Sequence, residues 1–170
     1  MEFVNPGPVT GPAADHPAGM TASTYASHPV DSERMPWIPM GRPGLAFKPL
    51  RFFRDGSGWM YLFRLEPGTL IPRHRHVGES HAFNISGRRQ LLDTGEVIGP
   101  GTYVHEPPGN VDSWQVVGDE PLILHITVKG GIEYLGDDGQ VLMSVSPAER
   151  LETYRRWCQE HGVEALATIE

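Results

Sequence analysis

The sequence predicts an all-β domain, a sandwich or barrel of antiparallel strands followed by a single C-terminal helix. From Phe47 onward, apolar and polar residues alternate in short segments separated by Gly and Pro turns, the pattern of strands with one buried face. No gap between these segments is long enough for a crossover helix, so neighbouring strands must run antiparallel. Helical spacing occurs only beyond Ser146. At 170 residues the chain has the length of one domain with one core.

Residues 1–34 combine Pro6, Pro8, Pro12, Pro17 and Pro29 with Gly7, Gly11 and Gly19, and their few apolar residues follow no period. Such a stretch cannot bury enough surface to offset its ordering entropy, and it reads as a flexible arm. Residues 35–145 are expected to form the barrel. Its clearest strand holds Trp59, Tyr61, Phe63 and Leu65 on one face and ends at Pro67-Gly68. Further strands are expected near 69–75, 80–86, 88–93, 96–99, 102–106, 111–117, 121–129 and 132–135, with turns at Asp93-Thr94-Gly95, Gly99-Pro100-Gly101 and Gly118-Asp119-Glu120-Pro121. Residues 146–170 form the helix and tail. Ser146 is a suitable N-cap, Pro147 fits the first helical position and Glu149 completes a capping box. Leu151, Tyr154 and Cys158 follow at helical spacing, and Gly162 can close the helix in the left-handed conformation.

Fourteen Lys and Arg against 21 Asp and Glu give a net charge of −7, a balance that opposes binding to nucleic acid or anionic lipid. Cys158 is the single cysteine, so neither an intramolecular disulfide nor a thiolate zinc finger is available. No membrane-length apolar run or signal-peptide pattern is read, which predicts a cytoplasmic protein.

Five of the eight histidines fall between residues 74 and 125, a clustering of the commonest metal ligand. His74 and His76 are two apart on an expected strand and project to one face, within reach of a single ion. Leu70 and Pro72 are expected to share that face, with Arg73 and Arg75 opposite. By the same count His81 joins Phe83 and Ile85 on an inward face, and Asp112 joins Trp114 and Val116. A carboxylate on an otherwise apolar inward face needs a cation or a paired group. His74, His76 and Asp112 would form a two-histidine, one-carboxylate face of the kind that holds non-haem Fe(II), with His81 a candidate fourth ligand. His81 and His105 are candidate proton carriers. Trp59, Tyr61, Phe83, Tyr103, Trp114 and His125 are expected to line a pocket suited to a small organic substrate.

The segment from Gly68 through Pro72-Arg73-His74-Arg75-His76 to His81 and Gly87 resembles the first cupin motif, and Gly101-Thr-Tyr-Val-His105-Glu-Pro107-Pro-Gly109-Asn-Val-Asp112 resembles the second. The resemblance implies a double-stranded β-helix, a small jelly-roll barrel, with His, His and Glu of the first motif and His of the second around one metal. Here Glu79-Ser80-His81 stands at the usual glutamate and Asp112 at the usual second-motif histidine. A longer match, through Met35-Pro-Trp-Ile-Pro-Met-Gly, Phe47-Lys-Pro-Leu-Arg-Phe, Ile132-Glu-Tyr-Leu-Gly-Asp-Asp-Gly and Tyr154-Arg-Arg-Trp-Cys, resembles the 2,4'-dihydroxyacetophenone dioxygenase group. Members of that group use Fe(II) and O2 to cleave an aryl hydroxymethyl ketone to an aryl acid and formate. The resemblance implies His74 and His76 as iron ligands. It places the group's third imidazole at Asp112 and its carboxylate near Asp93, with Glu96 a nearby substitute. Three neutral imidazoles leave Fe(II) at +2, whereas Asp112 lowers the centre to +1, making it easier to oxidise and less attractive to an anionic substrate.

The reading is thus an Fe(II) dioxygenase acting on a small organic substrate with O2, as a homodimer or homotetramer. Zn, Ni or Mn are the other metals the site suits. An oxygen-independent Zn or Ni isomerase, cyclase or lyase and a non-catalytic ligand-sensing cupin are the rival readings.

Overall fold

The computed structural model describes residues 29–165, so residues 1–28 of the expected arm lie outside the described residues. Asp31 caps a short 3-10 turn over Ser32–Arg34, and Lys48 Nζ donates to the Ser32 carbonyl at 2.8 Å. The strands that follow are β1 (Ile38–Pro39), β2 (Leu45–Phe52), β3 (Gly58–Leu65), β4 (Leu70–His76), β5 (Ser80–Ser86), β6 (Arg88–Leu91), β7 (Val97–Ile98), β8 (Tyr103–Glu106), β9 (Val111–Val117), β10 (Leu122–Lys129), β11 (Ile132–Leu135) and β12 (Val141–Val145), and α1 spans Pro147–His161. Two six-stranded sheets result, in the orders β1-β2-β3-β10-β5-β8 and β12-β11-β4-β9-β6-β7. Every pairing among them is antiparallel. This is the jelly-roll barrel that the sequence predicts. The strand β12 was not expected: Val141, Leu142 and Met143 are all exposed, so its residues carry no alternation to read.

One apolar core joins the sheets. Trp59, Tyr61, Phe63 and Leu65 of β3 and Leu122, Leu124, Ile126 and Val128 of β10 meet Ile71 of β4 and Trp114 and Val116 of β9. Tyr154 and Cys158 of α1 join the same core, with the Tyr154 ring stacked on Phe52 at 5.7 Å. The helix begins as its sequence dictates: Ser146 and Glu149 form the reciprocal capping box, Pro147 occupies the first turn, and Gly162 closes the end at φ +62°. Ser146→Ala removes an N-cap and is expected to cost about 1 kcal/mol, read as a lower urea midpoint at unchanged slope.

Two strands depart from the expected facing. In β4 a register shift between Ile71 and His74 reverses the parity, so Ile71 rather than Leu70 or Pro72 joins the histidines on the inner face; Leu70 is 40% exposed. In β5 the inward residues are Ser80, Ala82 and Asn84, while His81, Phe83 and Ile85 face outward. The cause is the neighbouring strand. Residues opposed across a ladder share a face, and β10 pairs Val128 with Ser80, Ile126 with Ala82 and Leu124 with Asn84. The larger apolar run of β10 therefore fixes the facing of β5.

Candidate metal centre

His74 and His76 lie on the inner face of β4, 5% and 2% exposed, with ring centroids 5.0 Å apart. Asp112 of β9 stands directly opposite His74. One ligand atom from each of the three lies within 4.8 Å of the other two. Gly78 lets the chain turn away after His76, because a Cβ there would sit 2.6 Å from the Lys129 carbonyl oxygen.

The hydrogen bonds leave these groups open to a cation. His74 Nδ1 is 3.0 Å from the Pro72 carbonyl oxygen; since a carbonyl only accepts, Nδ1 carries the proton and Nε2 keeps its lone pair. That Nε2 is 3.3 Å from Asp112 Oδ1, and His76 Nε2 is 3.4 Å from Glu106 Oε2. Yet Asp112 Oδ1 and both ring nitrogens of His76 make no hydrogen bond. Buried polar atoms without partners cost about 1–3 kcal/mol each. A divalent cation satisfies Asp112 Oδ1 and one ring nitrogen of His76 together, and two imidazoles with one carboxylate are a donor set that such a cation takes. The residues fit a bound metal.

Two further ionisable groups complete the cluster. Arg89 of β6 is 1% exposed, its guanidinium lies 4.9 Å from the Trp114 ring centroid, and its Nε and Nη2 have no hydrogen-bond partner. Glu106 of β8 is also buried. Burial disfavours ionisation of Glu106, but His76, a hydrogen bond with Asp112 and the Arg89 charge outweigh it and hold this carboxyl below the usual range. Burial, followed by repulsion from Glu106, pushes Asp112 up to about 8. Burial also lowers His74 to about 4.

A pH dependence follows from these directions. Below about 8 the metal-free Asp112 retains its proton and must release it to ligate, whereas His74 is already neutral above about 4. Metal affinity is therefore expected to rise about tenfold per pH unit through the neutral range and to level off above about 8, with one proton released per ion. Calorimetry in buffers of different ionisation enthalpy reads that proton. Uptake without proton release at pH 7 contradicts the assignment of Asp112.

The centre opens on a cavity of about 50 Å³ whose lining includes Tyr61, Phe63, Trp114 and Tyr134, room for an ion with a few waters or a small ligand. Of the residues expected in the pocket, Tyr61 and Trp114 line it, and Trp59 lies behind Tyr61 in the core, stacked at 6.2 Å. Phe83, Tyr103, His81 and His105 are on the outer face of their sheet. His125 is there too, opposite Phe83, and partial burial lowers its basicity. The inward placement expected for His81 is thus corrected by the register of β5 against β10. Asp93 pairs with Arg73 at 3.1 Å on the surface and Glu96 is exposed, so neither is in the cluster. Sequence reasoning missed Glu106 and Arg89. Glu106 was legible: with Tyr103 and His105 on one face of β8, period two turns Glu106 to the other.

A jelly-roll barrel that holds paired histidines and a carboxylate inside its wall is the architecture of a cupin. Residues 26–129 match the ChrR cupin-like domain, and the chain belongs to that family. No curated protein matches it. A solved RmlC-like cupin from Ralstonia eutropha JMP134 is 20% identical, with a TM-score of 0.81 over 89% of this chain and 100% of its own. A second Ralstonia eutropha JMP134 structure, a protein of unknown function with a cupin-like fold, is 21% identical with a TM-score of 0.73 over 81% and 92%. An acetylacetone dioxygenase from Acinetobacter johnsonii is 18% identical with a TM-score of 0.60 over 94% and 99%. These three likenesses are of fold. Among the described residues no helix is long and apolar enough to cross a membrane.

Proposed function

We propose that the chain is an Fe(II)-dependent dioxygenase that cleaves a carbon–carbon bond in a small chelating ketone, with the ion held by His74, His76 and Asp112. The observation that carries this reading is the set of unsatisfied ligand atoms at the wall of an aromatic-lined cavity. A structural neighbour named for dioxygenase action on acetylacetone, and the sequence resemblance to the 2,4'-dihydroxyacetophenone dioxygenase group, support it. Bound Fe(II) would supply Lewis acidity toward two substrate oxygens and electron transfer to O2.

The chain's own residues have separate tasks. Glu106, held ionised beside His76, is the base that takes the acidic proton of a hydroxyketone or enol. The unpartnered N–H groups of Arg89 receive the resulting anionic oxygen. Tyr61, Phe63 and Trp114 present an apolar wall to the carbon skeleton.

The test is oxygen uptake by anaerobically Fe(II)-loaded protein given a hydroxymethyl aryl ketone. One O2 consumed per ketone, with aryl acid and formate as products, is expected; this stoichiometry balances, since both oxygen atoms end in the two acids. No uptake by wild type contradicts the reading, and uptake by Asp112→His alone shows that the carboxylate has turned the centre away from this substrate. Glu106 favours one second reading, proton abstraction beside a Zn- or Ni-polarised carbonyl in an isomerase, cyclase or lyase. Turnover by the Zn-loaded protein under argon assigns it.

A further inference from the structure

The outer face of the β5–β8 pair gathers a second set of ligating side chains. His81 and His105 stand directly opposite each other across these strands, with rings stacked at 5.0 Å. Glu79, just before β5, reaches both: its Oε1 is 3.6 Å from His81 Nε2 and its Oε2 is 3.8 Å from His105 Nε2. One ligand atom from each of the three lies within 4.8 Å of the others. The Tyr103 hydroxyl oxygen, 2.6 Å from His81 Nδ1, can accept from Nδ1–H and leave the Nε2 lone pair directed toward Glu79.

We infer that Glu79, His81 and His105 form a second site for a divalent transition metal of the zinc class, exposed to solvent on the opposite face of the sheet from the interior centre. Two imidazoles and a carboxylate suit Zn2+ and leave its fourth position to water. Bonds of 2.0–2.1 Å place tetrahedral ligand atoms about 3.4 Å apart, close to the observed 3.6 and 3.8 Å from Glu79 to the two histidines. The competitor is Lys129, whose Nζ is 2.6 Å from Glu79 Oε1; an exposed pair of this kind holds weakly. A cation here ties β8, the edge strand of its sheet, to β5 through side chains as well as backbone. Because Glu106 follows His105 on β8 and faces inward, occupancy of the outer site steadies a wall of the inner one.

The experiment is equilibrium dialysis of the untagged chain against Zn2+. Wild type is expected to hold two ions, and His81→Ala and His105→Ala one each. Lys129→Met, which removes the competing cation, is expected to tighten the second ion severalfold. The His74→Ala, Asp112→Ala double variant is expected to keep one ion that a further His105→Ala removes. The same ion count in wild type, His81→Ala and His105→Ala overturns the proposal. Failure of the interior centre looks different: wild type then holds one ion, and His81→Ala holds none.

Discussion

His76→Ala is expected to abolish metal binding at the interior centre while the barrel still folds. Both ring nitrogens of His76 are buried without hydrogen bonds, so the polar contribution of the imidazole to the metal-free fold is limited to its electrostatic effect on Glu106, 3.4 Å away. Its removal leaves a cavity, and that cost is partly offset by deleting two unsatisfied groups. The stability of the metal-free protein should therefore change by no more than about 2 kcal/mol. Affinity should fall far more. Losing an outer partner of a ligand already weakens metal binding about 10–100-fold, and losing the ligand itself should exceed the upper figure. Isothermal titration reads the loss as disappearance of the interior binding phase. A His76→Ala protein that retains that phase contradicts the ligand set.

Arg89→Met should have the largest effect on stability. The substitution keeps most of the side-chain volume, so packing against Trp114 survives, but it strips Glu106 of the cation that helps keep its carboxyl below the usual range. Glu106 loses one of the groups that hold its charge, and the removal of two buried guanidinium nitrogens without hydrogen bonds offsets part of that loss, so the expected cost is about 1–3 kcal/mol. The sign with pH follows from Glu106. Its folded-state value is depressed, so the stability it contributes is present above the ordinary carboxylate range and is lost as pH falls through the folded value. The gap between wild type and Arg89→Met should accordingly be widest at neutral pH and shrink in acid as Glu106 protonates. Urea unfolding at pH 7 and at lower pH measures it. Equal stability of the two proteins at pH 7 contradicts the role given to Arg89.

The parts of this molecule that were legible in its sequence are those where one physical signal acts alone. Trp59, Tyr61, Phe63 and Leu65 alternate without competition, and β3 buries all four. Ser146, Pro147, Glu149 and Gly162 make and end α1 by local hydrogen bonds. His74 and His76 share a face because strand geometry requires it, and Asp112 arrives opposite His74 through the pairing of β4 with β9. The failures occur where the local pattern meets a neighbour. Phe83 and Ile85 make the outer face of β5 the more apolar one by sequence, yet the register with Leu124, Ile126 and Val128 turns Ser80, Ala82 and Asn84 inward. Alternation assumes a greasy interior, and it inverts beside an interior that holds polar groups. His81 and His105 were carried outward by that inversion, and Glu106 was carried in by the same alternation on β8. Arg89 gave no signal at all, since a lone arginine in a short strand is usually solvated and only the assembled cluster explains its burial.

His74, His76 and Asp112 are expected to bind one ion. Anomalous diffraction at the iron edge from crystals grown anaerobically with Fe(II) tests it most directly. A peak is expected at about 2.0–2.2 Å, the range seen for nitrogen and carboxylate ligands to divalent zinc, from His74 Nε2, from a ring nitrogen of His76 and from a carboxylate oxygen of Asp112. A crystal that contains iron with no peak between these three residues contradicts it.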